Sequence, residues 1–218
     1  MSRRISIFES FLAVLVIILL KVGVALGFGR YYSSPLSFLF DILIYLSVFL
    51  FLKKRSNLKV NTNEVSWLPY LGGLMLGISF YLFGEIIEFV EMVFNTDEYN
   101  LISYIRGQSM ITPGLKTYII SILIVSPIFE ELIFRGLIFQ SFTDRFSVVK
   151  SVLLSSLFFW IGHLGSDDVS EVVTIFLLSV GACLLYFKTK NIYVCILMHF
   201  GFNFSNYLFK YFYYTIVN

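Results

Sequence analysis

One apolar stretch, residues 117–142, decides the fold of this chain, and it reads TYIISILIVSPIFEELIFRGLIFQSF. It is long enough to cross a bilayer as a helix, because a transmembrane helix needs about 20 mostly apolar residues. Yet it carries three charged side chains close together, Glu130, Glu131 and Arg135. A charge at the centre of a membrane helix costs about 2.5–3.5 kcal/mol on insertion scales. Such groups normally face a protein interior or a wet cavity, so we interpret them as part of a functional site.

The composition of the whole chain agrees with a membrane protein. Of its 218 residues, 58% are hydrophobic and only 14% are charged, against about 25% in an ordinary soluble domain. A soluble fold of this size could not bury so much apolar surface, so lipid must cover part of it. No basic cluster with interleaved aromatic residues indicates a nucleic-acid partner.

Seven apolar windows predict an all-α, polytopic bundle of about seven transmembrane helices. They are residues 7–28, 35–52, 67–84, 117–142, 148–164, 169–187 and 192–212. Basic residues concentrate in the amino-terminal segment and in the loop at 53–59, which predicts a cytoplasmic amino terminus. We divide the chain into 1–116, amino-terminal helices with an outer amphipathic segment at 85–116, and 117–212, a core that carries the deep polar residues. The composition favours a bacterial cell membrane, and it leaves the oligomeric state open.

The deep polar residues lie in the fourth, fifth and seventh spans. His163 follows Phe159 in the fifth, and His199 and Asn203 lie in the seventh. On a helix, residues four apart share a face, so His199 and Asn203 point the same way and Phe159 can wall the pocket of His163. Counted from the predicted cytoplasmic ends at 1.5 Å per residue, the polar groups can share one layer of the bundle.

The fourth span supplies the acids. Glu131 and Arg135 are four apart and can pair. Glu130 and Glu131 point about 100° apart on a helix, so they should differ in role. Lys21 and Asp41, in the first two spans, are interpreted as structural, either pairing with each other or snorkelling.

A carboxylate and two neutral imidazoles can hold a water or a metal ion. A glutamate in a low-dielectric pocket is a competent general base for a water that attacks a peptide carbonyl. An imidazole and an amide N–H can then stabilise the oxyanion. A divalent metal such as Zn²⁺ near Glu130, His163 and His199 would need a third protein ligand from Glu130 or Asn203. No HExxH motif is present.

The ordered motifs EExxxR, FxxxH and HxxxN resemble the CAAX protease and bacteriocin-processing family of intramembrane endopeptidases, also called CPBP or Abi. The resemblance covers about residues 117–210. It implies that Glu130 activates the water, that His163 assists, and that His199 and Asn203 form the oxyanion side. It also implies orienting roles for Glu131 and Arg135, while Phe159 is expected to contact substrate and the metal stays open.

The function expected from these residues is intramembrane (metallo)endopeptidase activity on a peptide or membrane-protein substrate. Peptide or bacteriocin maturation, or self-immunity, is preferred because the composition hints at a low-GC bacterium. CAAX-type processing of a lipidated protein tail is an alternative. Two further readings remain open: a non-catalytic scaffold or immunity protein that binds a peptide or sensor kinase, and a transporter with a proton relay. The absence of paired inverted halves counts against the transporter.

Overall fold

The computed structural model describes residues 4–28, 35–56, 59–94, 119–163 and 169–217. Seven helices fill most of these ranges: α1 (Ile7–Phe28), α2 (Pro35–Arg55), α3 (Trp67–Phe94), α4 (121–143), α5 (Val148–Ile161), α6 (Val169–Thr189) and α7 (Ile192–Val217). An isolated bridge between Thr62 and Asn191 ties the segment after α2 to the turn between α6 and α7. The expected all-α bundle is confirmed.

Apolar helices with outward-facing apolar side chains mark this bundle as a membrane protein. Within the described residues, three segments are long and apolar enough to cross a bilayer, and α5 is a shorter apolar helix. The three segments are Trp67–Glu91, Ser170–Thr189 and Ile192–Phe212. Large apolar side chains such as Phe8 and Leu68 point outward and are well exposed. Seven crossings and the cytoplasmic amino terminus stay predictions.

Helix α4 lies at the centre of the bundle. Its residues 133–139 are all buried, as expected for a helix that is covered on every side. One apolar cluster joins it to α1, α2 and α5, and a second joins it to α5, α6 and α7. The charged residues of the fourth span therefore face protein rather than lipid.

The backbone of α4 alternates between two helical forms. Ser121–Val125 and Phe134–Phe139 are π-helical, and the α-helical segment Ser126–Ile133 between them carries both glutamates. Short π-helical turns within α-helices occur frequently at functional sites, because they change which way the neighbouring side chains point. Here they bracket the acidic pair.

Helices α3 and α7 approach each other at backbone distance. A Cβ atom built on Gly77 would lie 1.8 Å from the carbonyl oxygen of Met198, and one on Gly201 would lie 2.6 Å from that of Leu74. Only glycine allows such an approach. This contact seats α7, with His199 between Met198 and Gly201, firmly against α3.

Several helix ends differ from those predicted: α2 runs to Arg55 rather than 52, and α7 runs to Val217 rather than 212. The third helix continues to Phe94, well past 84, so the first part of the amphipathic segment extends α3; residues 95–116 lie outside the described ranges. The fifth helix ends at Ile161 rather than 164, and Gly162 and His163 form a turn. The division at 116/117 stays a prediction, although α3 and α7 pack directly across it.

Candidate active site

Glu130 lies at the meeting point of four helices and uses its two carboxylate oxygens differently. Oε1 accepts hydrogen bonds from the Tyr45 hydroxyl on α2 and from the Ser126 hydroxyl one turn earlier on α4. Oε2 is buried and has no hydrogen bond from the described residues. It faces His163 Nε2 at 3.6 Å and His199 Nε2 at 3.9 Å.

The Nδ1 atom of each histidine, which does not face Glu130, determines the tautomer of its ring. His163 Nδ1 lies 2.8 Å from the carbonyl oxygen of Phe159, and His199 Nδ1 lies 2.9 Å from Glu131 Oε1. Both oxygens only accept, so we assign the proton of each neutral ring to Nδ1. Each Nε2 is then an acceptor, like Glu130 Oε2.

Three acceptor atoms thus converge on one space without a donor between them. Separations of 3.6 and 3.9 Å exceed a direct hydrogen bond and suit a bridging water. A water supplies two protons, which is enough for two of these three acceptors at a time. The arrangement can therefore hold a water against the free oxygen of Glu130, with an imidazole on either side.

Glu131 and Arg135 form a buried ion pair beside this space. Arg135 Nη1 lies 3.0 Å from Glu131 Oε1, and both side chains are 1% exposed or less. Arg135 also donates to the carbonyl oxygen of Ser179 at 3.2 Å and lies 4.4 Å from the ring centre of Phe159. Because Glu131 Oε1 also accepts from His199, the pair fixes the orientation of that imidazole.

Phe159 lies beneath the two imidazoles. Its ring centre is 4.5 Å from that of His163 and 5.8 Å from that of His199, and its side chain is buried. It forms the floor of the water space and limits the movement of both rings. Contact between Phe159 and a substrate stays a prediction.

Asn203 lies one turn beyond His199, on the same helix. Its side-chain amide nitrogen donates a hydrogen bond of 2.9 Å to the carbonyl oxygen of Ile122, in the first π-helical turn of α4. An amide carries two N–H donors, so the second is available to a ligand. The structure thus brings Glu130, His163 and His199 together. The part of Asn203 in the oxyanion side of the site stays a prediction.

Three residues near Glu130 were not assigned to the site from the sequence. Ser126 could have been found, because it precedes Glu130 by four residues on the same helix. Tyr45 gave no signal, since its contact crosses between helices. Lys21, whose Nζ lies 2.5 Å from the Tyr45 hydroxyl, was noticed only as a charge in an apolar span.

The described residues do not fit a bound metal ion. A zinc ion with ligands at about 2.0–2.2 Å holds its ligand atoms about 3.3–3.6 Å apart, and His199 Nε2 lies 3.9 Å from Glu130 Oε2. No group of three or more His, Cys, Asp or Glu side chains in the described part of the chain is arranged to hold a metal. The divalent metal considered from the sequence stays a prediction.

Comparison with known protein families finds a match to the segment that carries the site. The family described as type II CAAX prenyl endopeptidase Rce1-like matches residues 112–205, somewhat less than half of the chain. This agrees with the resemblance found in the motifs, and all seven residues of the three motifs lie inside the matched segment. No curated protein and no solved structure matches the chain.

Proposed function

We propose that this chain hydrolyses a peptide bond inside the membrane with a water activated by Glu130, since residues 112–205 match the family described as type II CAAX prenyl endopeptidase Rce1-like. At the level of the family, this match supports a CAAX-type intramembrane protease. One observation carries the finer assignment: the buried, unbonded Oε2 of Glu130 faces the Nε2 atoms of His163 and His199.

The first step moves one proton and forms one bond. Glu130 Oε2 takes a proton from the water while the water oxygen attacks the carbonyl carbon, and the π electron pair moves to the carbonyl oxygen. His163 Nε2 accepts the second hydrogen of the water and so aims its lone pair. The free N–H of Asn203 donates to the developing oxyanion.

The second step breaks the peptide bond. The oxyanion collapses, the C–N bond opens, and Glu130 returns its proton to the leaving nitrogen. His199 keeps its position throughout, because Glu131 holds Nδ1 and Arg135 holds Glu131. No step passes through a metal ion.

We propose a peptide substrate that reaches the site from the lipid phase, such as a peptide or bacteriocin precursor. Maturation of a peptide, or self-immunity, fits the bacterial composition better than processing of a prenylated tail. The family description supports the lipidated tail instead. Two quenched fluorescent peptides with one sequence, one farnesylated at a CAAX cysteine and one not, distinguish these substrate classes in vesicles that contain the purified protein.

The chemistry is tested with Glu130→Gln, which keeps the shape of the side chain and removes the base. We expect a loss of about 10²–10⁴-fold in cleavage rate, the usual contribution of a general base. Glu85→Gln is the matched control, since Glu85 also accepts a hydrogen bond from a tyrosine inside the bundle, Tyr81. Undiminished cleavage by Glu130→Gln would refute the mechanism. Retention of a cellular phenotype without cleavage would favour the scaffold function.

A further inference from the structure

A chain of polar contacts reaches Glu130 from outside the matched family segment. Lys21 on α1 lies 2.5 Å from the hydroxyl of Tyr45 on α2, and that hydroxyl bonds Glu130 Oε1 on α4. Residues 112–205 contain neither Lys21 nor Tyr45. The amino-terminal helices therefore contribute directly to the surroundings of the proposed base.

The direction of these hydrogen bonds follows from the chemistry of the groups. An ammonium group has only donors, and an ionised carboxylate has only acceptors. Tyr45 has one hydroxyl proton, so it accepts from Lys21 and donates to Glu130. The positive charge on Lys21 draws electron density from the hydroxyl and strengthens its bond to the carboxylate, as in other charge-assisted chains.

The rest of the contacts hold this chain in place. Tyr45 is 2% exposed, and its ring stacks on that of Phe129, with centres 6.1 Å apart and planes 5° apart. Asp41, one turn before Tyr45 on α2, accepts a hydrogen bond of 3.1 Å from the Ser121 hydroxyl. Lys21 is thus directed to Tyr45 rather than to the expected partner Asp41.

The consequence for Glu130 concerns which oxygen is free. Tyr45 and Ser126 both bond Oε1, so that oxygen has two donors and Oε2 has none from the described residues. A carboxylate without Tyr45 could rotate and exchange its oxygens. With Tyr45 in place, Oε2 stays turned toward the imidazoles.

We infer that Tyr45 and Lys21 are positioning residues of the hydrolytic site: Tyr45 holds Glu130 with Oε2 facing the histidines, and Lys21 acts through Tyr45. This inference rests on the proposed function. It assigns a task in the reaction to two helices that the family segment does not include.

The experiment measures kcat and KM for cleavage of the farnesylated peptide, or of its unprenylated counterpart if only that is cut, by purified full-length protein in vesicles. We expect Tyr45→Phe to lower kcat about 10–100-fold, the range for a hydrogen bond to a charged group, with KM changed less than about twofold. Lys21→Met should lower kcat about 3–10-fold, and Lys21→Arg should retain most of it. Tyr81→Phe is the control, because it also removes a buried hydroxyl that donates to a carboxylate.

The double variant Lys21→Met/Tyr45→Phe tests whether Lys21 acts through Tyr45. We expect it to equal Tyr45→Phe, since the relay is already cut. If the double variant instead loses the product of the two single-variant losses in kcat, Lys21 does not act through Tyr45. If Tyr45→Phe folds poorly, the comparison of Lys21→Met with Lys21→Arg still tests the role of the charge on Lys21. An equal loss of kcat in these two variants overturns that role.

These results separate the inference from the function on which it rests. Unchanged kcat in Tyr45→Phe, with activity abolished in Glu130→Gln, overturns the positioning role and leaves the proposed function standing. Full activity in Glu130→Gln refutes the proposed function itself. A fall in thermal stability that parallels the fall in kcat across the variants overturns positioning in favour of a structural role.

Discussion

The ion pair between Arg135 and Glu131 offers a prediction in which stability and activity separate. Arg135 is fully buried, pairs with Glu131 at 3.0 Å, and donates to the carbonyl oxygen of Ser179. Replacing it by methionine leaves Glu131 charged and enclosed. Removing one member of a buried ion pair costs about 3–5 kcal/mol.

Neutralising both members should recover much of that loss. In Glu131→Gln/Arg135→Met neither member of the pair leaves the charge of the other uncompensated, and replacement of a buried ion pair by neutral groups is often nearly neutral for stability. The amide of the new glutamine can accept from His199 Nδ1, but as a neutral group it holds the ring less strongly. We therefore expect the double variant to fold well and to cleave peptide at least about tenfold more slowly than the unmodified protein, a loss of about 1.4 kcal/mol.

The assay combines two measurements on the same preparations. Unfolding in mixed detergent micelles gives the change in the free energy of unfolding, and cleavage of the fluorescent peptide gives kcat. We expect Arg135→Met to be unstable and inactive. We expect the double variant to be stable and to cleave the peptide slowly. A double variant as unstable as Arg135→Met would refute the charge argument. A double variant with full activity would refute the orienting role of Glu131.

Three further predictions follow from other parts of the structure. Gly77→Ala should destabilise the protein by about 1–3 kcal/mol and lower its activity, because the added Cβ meets the backbone of α7 at 1.8 Å. Gly72→Ala is the control and should leave stability unchanged, because its added Cβ meets nothing within 4 Å. Equal melting temperatures of the two variants would contradict this prediction. Asn203→Ala should lower kcat about 10²–10³-fold through loss of an oxyanion donor, with KM little changed; a rise in KM alone would instead assign it to binding. Activity should survive dialysis against a metal chelator, and a loss that added zinc reverses would show that a metal is needed.

The helices themselves were predictable because burial in lipid imposes a simple pattern. Apolar windows located all seven, with the largest errors at ends where the pattern fades. The fifth helix was predicted to reach 164 but ends at Ile161, since Gly162 and His163 leave the helix in a turn. The π-helical turns of α4 were not predicted, because no local residue pattern distinguishes them from the α-helix that surrounds them.

The site was predictable to the extent that helical spacing determines it. Four-residue spacing correctly placed Arg135 beside Glu131, and the shared depth of the spans brought His163 and His199 to Glu130. The contact with Tyr45 could not be found this way, since it depends on how α2 rotates against α4. Its only trace in the sequence was Lys21, a costly charge in an apolar span that had to have a partner.

The neighbouring glutamates illustrate how one helix can carry two different carboxylates. Glu131 has a formal counter-charge at 3.0 Å, and its Oε1 is also engaged by His199. Glu130 is bonded by hydroxyl groups at one oxygen only, and its other oxygen faces imidazole nitrogens at 3.6 and 3.9 Å. The guanidinium and the imidazole both engage Glu131 at Oε1, whereas Oε2 of Glu130 has no hydrogen bond from the described residues and faces the space for the water. The turn of about 100° between adjacent residues is thus enough to make one glutamate an orienting group and its neighbour the base.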